Sequence, residues 1–267
     1  MFRCAGVDLH VEQAGEGRPV LLLHGFPDSH RLWRNQVPAL VDAGHRIIAP
    51  DLPGYGDSEA PGEVADYRFR NLVRGLAELL DQLGVERTSV VGHDWGAALA
   101  WGFTALAPER VDHLVALSVG HPAVPRTLGQ LRDFWYMLLF QAPEAEELLS
   151  EDDWALLRRW MTGAEDLDRY LEDLARPGRL TAALNWYRAN HDPRAFVHGG
   201  RVPDVSRPTL GVWSTRDFAC GEEQMVGSAD HVSGTWRYER IDGVGHWIPL
   251  AAPGRLNALL VEFLRPA

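Results

Sequence analysis

The chain has 267 residues, 46% of them hydrophobic, which is long enough to bury a substantial core without disulfide support. Its 37 acidic residues outnumber its 26 basic ones, and the net charge of −11 argues against a nucleic-acid-binding protein, because phosphate contacts need a basic surface. The two cysteines lie near opposite ends of the chain, so they form neither a disulfide framework nor a set of metal ligands. The N-terminus lacks a signal-peptide pattern, and no apolar run approaches the roughly 20 residues that span a bilayer. We therefore expect a cytoplasmic protein without membrane contact.

Short apolar runs alternate with helically spaced apolar residues through the first part of the chain. The runs lie at residues 20–23, 46–49, 89–91 and 111–119, and the segments with helical spacing lie at 32–41, 72–83 and 97–107. This alternation of strand and helix predicts a parallel sheet with helices on both faces.

The alternation stops after Pro122, and residues 127–195 show helical patterns with no convincing strand. Strand-like runs return at 209–214 and 236–241, and residues 256–264 predict a closing helix. We therefore expect an α/β core formed by residues 1–122 and 201–267, with a helical cap inserted over residues 123–200. Such an insertion suits a lid, because ligands bind outside the carboxyl ends of the strands in sheets of this kind.

The segment Gly92-His-Asp-Trp-Gly96 lies between a predicted strand and a predicted helix. This spacing is typical of a nucleophile elbow, in which the central residue occupies a strained turn and the glycines let strand and helix approach closely. The central residue is Asp94, whose carboxylate would attack a saturated carbon and form an ester with the substrate, whereas a serine there would predict an esterase. The alternative is a loop aspartate that caps the following helix.

Candidates for the acid and the base follow the nucleophile in chain order, as elbow-type folds require. Asp217 comes just after the strand predicted at 209–214, and His246 lies in a glycine-bearing loop after the strand predicted at 236–241. We expect His246 to be the base and Asp217 to be the acid that orients it. Asp242, four residues before the histidine on the same loop, is the alternative acid.

Two backbone amides are candidates for an oxyanion hole. His24-Gly-Phe-Pro27 follows the first long apolar run, where folds of this type place one oxyanion donor, and the residue after the nucleophile supplies the other. These donors would be the amides of Phe26 and Trp95. The alternative for the first segment is an ordinary turn, since Gly-Phe-Pro is turn-like.

Taken together, the motifs resemble those of epoxide hydrolases with the α/β-hydrolase fold, over essentially the full length of the chain. The matching segments are His24-Gly-Phe-Pro-Asp-Ser29, Asp51-Leu-Pro-Gly-Tyr-Gly-Asp-Ser58, Gly92-His-Asp-Trp-Gly96, Leu184-Asn-Trp-Tyr-Arg188 and Gly245-His-Trp247. The first three are shared with dehalogenases of the same fold, whereas the fourth is more specific. The resemblance implies an α/β-hydrolase fold, with a mostly parallel central sheet flanked by helices and the helical cap inserted after the sixth strand.

In that family two lid tyrosines hold the epoxide oxygen, and the resemblance maps both onto this chain. One belongs to the Asn-Trp-Tyr-Arg segment, which gives Tyr187. The other lies four residues before a Phe-Gln pair, here Phe140-Gln141, which gives Tyr136. Two phenol donors suit this reaction because ring opening develops an alkoxide on the oxygen. Considered singly, each tyrosine would more simply be a packing residue of a lid helix.

The resemblance implies a hydrolase that opens epoxides to vicinal diols. Asp94 would form a hydroxyalkyl ester, and water activated by His246 and Asp217 would hydrolyse it. The chemistry requires no metal or organic cofactor, the partners would be a small apolar epoxide and water, and the choice between monomer and homodimer stays open. The expected substrate contacts are aromatic: Phe26, Trp95, Tyr136, Phe140, Trp186, Phe218 and Trp247.

The main alternative is a haloalkane or haloacid dehalogenase, which uses the same aspartate nucleophile. The haloacid enzymes that resemble this chain carry arginine directly after the nucleophile and again three residues later, where this chain has Trp95 and Ala98. They also use a tryptophan for halide where this chain has Tyr136, and haloalkane enzymes often have asparagine at the position of Phe26. An esterase would need serine at the elbow, and a catalytically idle receptor of this fold would lack a member of the triad.

Overall fold

A computed structural model describes residues 1–265, and a parallel sheet forms the centre of the molecule. The strands are β1 (Phe2–Cys4), β2 (Val7–Leu9), β3 (Val11–Ala14), β4 (Arg18–Leu23), β5 (His45–Pro50), β6 (Thr88–His93), β7 (Val111–Leu117), β8 (Thr209–Arg216) and β9 (Trp236–Gly245). Strands β3 to β9 form one sheet in the order β3-β5-β4-β6-β7-β8-β9, in which only the β3–β5 pair is antiparallel. Strands β1 and β2 pair separately as an antiparallel hairpin.

Helices cover the sheet and fill the long insertion between β7 and β8. The core helices are α1 (Gln36–Asp42), α2 (Phe69–Gln82), α3 (Trp95–Leu106), α10 (Glu222–Gly227), α11 (Ile248–Ala251) and α12 (Pro253–Phe263). The insertion holds α4 (Leu128–Asp133), α5 (Trp135–Leu139), α6 (Ala145–Trp160), α7 (Leu167–Ala175), α8 (Arg179–Ala189) and α9 (Pro193–His198). No helix in residues 1–265 combines the length and the apolar character needed to cross a membrane.

The central strands explain why the sequence shows unbroken apolar runs rather than alternation. Residues 20–23 of β4 and 114–117 of β7 are fully buried, as expected for parallel strands covered by helices on both faces. Helix α2 instead buries one stripe, formed by Leu72, Leu76, Leu79 and Leu80 at intervals of three and four residues. The core therefore lies on both sides of the sheet.

The predicted parallel sheet with flanking helices is confirmed, and two details differ from the prediction. The helical insertion follows the seventh strand in chain order rather than the sixth, because the first 14 residues form three short strands whose lengths of three or four residues leave little periodicity to detect. Helix α6 is also interrupted at residues 151–154, where Asp152, Asp153 and Trp154 adopt left-handed backbone angles. The sequence predicts only helical patterns over residues 127–195, and backbone reversals of this kind are not visible in apolar spacing.

A buried ion pair joins the insertion to the core. The Asp28 carboxylate, on the loop after β4, accepts hydrogen bonds of 2.6 Å from the Tyr170 hydroxyl and 2.6 Å from Arg169 Nη2, both on α7. Nearby, Arg34 makes a two-pronged pair with Asp166, each N–H···O distance being 2.8 Å. Helix α7 is thereby held against the loop that leads away from the carboxyl end of β4.

Candidate active site

Asp94 stands on a sharp turn between β6 and α3. Its backbone angles, φ 54° and ψ −124°, lie in a region that side-chain-bearing residues rarely occupy. Space around the turn exists because its neighbours are glycines: a Cβ on Gly92 would collide with the backbone of Gly96, and a Cβ on Gly96 would collide with the carbonyl of Leu23. The turn has the geometry of a nucleophile elbow, with Asp94 in the position of the attacking residue.

The loops after β6, β8 and β9 bring three titratable side chains together at one edge of the sheet. His246 Nδ1 lies 2.9 Å from Asp217 Oδ2, and His246 Nε2 lies 3.6 Å from Asp94 Oδ2. Asp217 also accepts the amide hydrogens of Ala219 and Cys220, each at 2.9 Å. Asp94, His246 and Asp217 thus stand in the spatial order that a nucleophile, a base and an orienting acid have in a catalytic triad.

The alternative acid, Asp242, does not reach the histidine. Its side chain is 80% exposed and pairs with Arg240 Nε at 3.0 Å. Of the two aspartates considered from the sequence, the structure therefore places Asp217 against the imidazole and leaves Asp242 in solvent.

Hydrogen bonds from neighbouring strands fix the loop that carries His246. The carbonyl of His246 accepts a hydrogen bond from His93 Nε2 at 2.9 Å and one from Ser118 Oγ at 3.2 Å. Ser214 Oγ donates to the carbonyl of Gly245 at 2.8 Å. The imidazole therefore sits on backbone anchored to the ends of β6, β7 and β8, which limits its movement relative to Asp94.

Asp94, Asp217 and His246 lie close enough for the charge of each to shift the pKa values of its neighbours. Burial alone would lower the pKa of His246, but the carboxylates of Asp217 and Asp94 outweigh it and raise that pKa to about 10. Burial alone would raise the pKa of Asp94, but hydrogen bonding and attraction to His246 bring it below its ordinary value. The resting site is therefore an ionised nucleophile beside a protonated imidazole. His93, behind the base, has its pKa lowered to about 4 by burial and by the charge of His246, so it stays neutral.

The two predicted oxyanion amides surround the nucleophile. The amide of Phe26 donates to Asp94 Oδ1 at 2.8 Å, and hydrogen bonding from the Trp95 amide helps to lower the pKa of Asp94. Gly25 permits this approach, because a Cβ there would collide with the Asp94 carboxylate and with the amide nitrogen of Trp95. One carboxylate oxygen thus faces backbone donors and the other faces His246.

A cavity of about 350 Å³ opens between the sheet edge and the inserted helices. Asp94 and Trp95 form part of its wall on the side of the sheet, and Tyr136 of α5 and Tyr187 of α8 form part of it on the side of the insertion. The two tyrosine rings lie 6.0 Å apart between centroids in an edge-to-face arrangement. Burial, with a contribution from the charge of Asp94, raises the pKa of both hydroxyls well above the ordinary value, so both remain donors.

Of the seven aromatic residues predicted to contact substrate, Trp95 and Tyr136 border this cavity, and the other five form a layer behind it. Phe26 and Phe140 pack against Tyr187, with ring centroids 5.7 and 4.8 Å away. Trp186 is fully buried and donates its indole N–H to the carbonyl of Pro53 at 2.9 Å. Phe218 and Trp247 pack on each other and on the His246 ring. A large aromatic side chain in a cap segment is typical of both lining and packing, so its type alone does not separate the two.

Several residues that border the cavity have no motif in the sequence. They include polar side chains of the insertion, of the segment after it and of α10: Arg126, Asn190, His191, Arg201 and Gln224. Gln130 of α4 does not border the cavity, but its Nε2 donates to the carbonyl of Ala219 at 2.6 Å, next to Asp217. Most of these residues lie outside the helices, where spacing does not reveal which side chains turn inward, so the sequence could not identify them.

Two clusters hold side chains of the types that ligate metals. In one, the Asp51 carboxylate accepts hydrogen bonds from the ring nitrogens of His10 and His30 at 3.0 and 2.8 Å. The amides of His30 and Asp57 also donate to it, so its oxygens are already engaged. The other cluster is Asp217, Cys220 and His246, which contains the acid and the base described above. Neither arrangement calls for a metal to explain its hydrogen bonding.

Comparisons with known proteins agree with this geometry. The family described as alpha/beta hydrolase fold matches residues 18–253. The chain is 35% identical to Epoxide hydrolase A of Mycobacterium tuberculosis, over 97% of this chain and 94% of that protein, and 35% identical to the AB hydrolase superfamily protein YfhM of Bacillus subtilis, over 97% and 95%. Among solved structures, Epoxide Hydrolase A from Mycobacterium thermoresistibile superposes with a TM-score of 0.79 at 32% identity, covering 98% of this chain and 96% of that one. An epoxide hydrolase from Bacillus megaterium in complex with an inhibitor gives a TM-score of 0.87 at 26% identity, with 98% of each chain covered.

Proposed function

The chain belongs to the epoxide hydrolases of the α/β-hydrolase fold, and we propose that it opens epoxides to vicinal diols through a covalent ester on Asp94. One observation carries the mechanism: an ionised elbow aspartate and two phenol donors from the cap border the same cavity. Helices α4 to α9 act in this proposal as the cap, because both phenols are on them. The substrate is a small epoxide with apolar substituents that suit an aromatic cavity wall.

In the first step, Asp94 Oδ2 attacks the less hindered or more activated carbon of the epoxide. Oδ1 is held by the Phe26 amide, so it becomes the carbonyl oxygen of the ester. The ring C–O bond breaks as the Asp94 ester forms, and the electron pair goes to the ring oxygen. The hydroxyls of Tyr136 and Tyr187 hydrogen-bond that oxygen, and one of them supplies its proton.

Ester formation then changes the charge that His246 experiences. The Asp94 carboxylate contributes to the raised pKa of His246, and esterification removes that negative charge. The pKa of His246 falls as a result, and its proton passes through solvent to the tyrosinate that ring opening left. The neutral imidazole then becomes a base, oriented by Asp217 through the 2.9 Å contact. The alkylation step therefore prepares the base that the next step needs.

In the second step, His246 takes a proton from water, and the resulting hydroxide attacks the ester carbonyl carbon. The amides of Phe26 and Trp95 stabilise the tetrahedral oxyanion at Oδ1. When this intermediate collapses, the bond between the carbonyl carbon and Oδ2 breaks, Oδ2 takes the proton of the hydroxyl group that water added to that carbon, and the diol leaves with Oδ2 as its second oxygen. Asp94 regains its charge with one oxygen taken from water. The named side chains, the epoxide and water account for every bond and proton.

A dehalogenase would use the same nucleophile and base, and the two activities differ in what the cap supplies. The positions at which haloacid enzymes resembling this chain carry arginine are Trp95 and Ala98, and both border the cavity as uncharged side chains.

A panel of epoxides scored for diol, with haloacids and haloalkanes scored for halide, separates the two activities. We expect diol without halide; halide without diol would reject the proposal.

The role of the tyrosines is tested by removing single hydroxyls. We expect Tyr136→Phe and Tyr187→Phe each to lower the rate of ester formation by about 10²–10³-fold, as for loss of an oxyanion donor. Tyr55→Phe is the matched control: its hydroxyl is buried near Asp94 but makes no hydrogen bond and does not border the cavity. Equal effects of all three changes would mean that the cap tyrosines serve packing only.

The ester itself is tested with His246→Ala. This variant keeps the nucleophile and the phenols, so ester formation should largely persist while hydrolysis stops. Intact-mass measurement after incubation with a turned-over epoxide should show one added substrate mass, located on the peptide that holds Asp94. Absence of any adduct would contradict a covalent intermediate.

A further inference from the structure

Two arginines border the cavity and have no counterpart in the mechanism: Arg201 is exposed to solvent, whereas Arg126 is partly buried. Arg126 lies on the segment between β7 and α4, and its backbone amide donates to the carbonyl of Phe196 on α9 at 3.0 Å. Its side chain is largely enclosed: Nε is buried without a hydrogen-bond partner, and Nη1 donates only to the carbonyl of Val124, at 2.6 Å. Among residues 1–265, no carboxylate pairs with this guanidinium or contributes to its pKa.

An unpaired guanidinium is unexpected in a chain with a net charge of −11. Burial lowers the pKa of Arg126 to about 10, so the group remains a cation at neutral pH. Asp94 is the one carboxylate among the residues that border the cavity, and its charge is already balanced by His246. Burying an unpaired charge is costly, and buried charges in folded proteins are usually paired, so this guanidinium is placed to pair with an anionic group of a ligand.

We propose that Arg126 is a specificity-determining residue that pairs with a carboxylate carried by the epoxide substrate. This inference rests on the proposed function, because the same molecule must place its epoxide between Asp94 and the phenols of Tyr136 and Tyr187. Guanidinium N–H groups match carboxylate oxygens in geometry and charge, and the fixed backbone of Arg126 holds the cation in the cavity wall. A cavity of about 350 Å³ suits a short substrate of one ring or a few carbons between the two groups.

The test compares two epoxides that differ only in charge, para-carboxy styrene oxide and its para-carboxamide. For the unaltered enzyme we expect kcat/KM to be about 10–100-fold higher for the acid, as for a charge-assisted hydrogen bond. Arg126→Gln should abolish this preference, and Arg126→Lys should restore part of it. Arg132→Gln is the matched control, since that arginine is on α4 with a side chain 82% exposed, and it should leave the ratio unchanged.

Failure of this inference can be distinguished from failure of the proposed function. Turnover of both epoxides without preference for the acid, or a preference that survives Arg126→Gln, would overturn the role of Arg126 and leave epoxide hydrolysis standing. A lack of turnover with both would reject the proposed function.

Calorimetry with the corresponding diols tests the anion site alone. If binding of the acid diol weakens about 10–100-fold in Arg126→Gln, the anion site is supported. Equal binding of the acid and amide diols to the unaltered enzyme rejects the anion site.

Discussion

The buried contact between Asp28 and α7 allows a quantitative prediction about how the cap is held. Tyr170→Phe removes one hydroxyl, which donates to the Asp28 carboxylate at 2.6 Å and belongs to a side chain with no solvent exposure. A hydrogen bond to a charged group contributes about 1.5–3 kcal/mol, and no water can replace this hydroxyl without rearrangement. Asp28 keeps its contacts with Arg169 and with the amide of Ser29, so the fold should persist. We therefore expect the free energy of unfolding to fall by about 1.5–3 kcal/mol.

Tyr238→Phe provides the matched control, because its hydroxyl donates to the Glu222 carboxylate at 2.7 Å in a half-exposed position. Water can take the place of that hydroxyl, so the loss should stay below about 1 kcal/mol. Urea denaturation of both variants, with m-values compared, measures the difference. Because α7 is part of the insertion that we propose to act as the cap, Tyr170→Phe should also raise KM for epoxides. Equal losses of stability in the two variants would refute the reasoning that burial makes the Asp28 contact important.

Three further outcomes follow from the geometry of the site. Gly25→Ala should lower kcat by at least about 10²-fold, because the new Cβ collides with the Asp94 carboxylate. Gly62→Ala is the control: its Cβ would meet nothing within 4 Å, so its kcat should equal that of the unaltered enzyme. A Gly25→Ala variant with normal kcat would contradict this account. Asp217→Asn should leave His246 misoriented and slow ester hydrolysis by about 10³–10⁴-fold, which would be measured as accumulation of the adduct. Normal turnover would contradict the role of Asp217 as the acid that orients His246. The rate of ester formation in single-turnover quench experiments should be independent of pH from about 5 to 9. The reason is that the pKa of Asp94 lies below its ordinary value, whereas those of Tyr136 and Tyr187 lie above theirs. A change of rate centred near pH 7 would contradict this prediction.

The parts of the site that backbone geometry dictates could be predicted from the sequence. The turn at Asp94 requires neighbours without a Cβ, so the glycines at positions 92 and 96 indicate this turn in the sequence. Asp217 and His246 follow β8 and β9, which are neighbouring parallel strands, so their common location at one edge of the sheet follows from parallel topology.

The parts that depend on side-chain packing could not be predicted in the same way. Phe140 directly follows α5 and Trp186 is on α8, next to residues that border the cavity, yet both turn into the packing layer behind it. Arg126 has the opposite property: its residue type is typical of an exposed surface, and only its enclosed position shows that it lacks a partner. Spacing predicts which residues share an element, whereas lining is decided by how two elements pack together.

The origin of the diol oxygens tests the central claim, a covalent ester on Asp94, most directly. Excess unaltered enzyme is mixed with epoxide in water enriched in heavy oxygen, so that each molecule turns over once. The ester mechanism predicts a diol without heavy oxygen, since its second oxygen comes from Asp94 Oδ2, and one heavy oxygen in the peptide that contains Asp94. A labelled diol with an unlabelled peptide would show that water attacks the epoxide itself, and it would contradict the ester on Asp94.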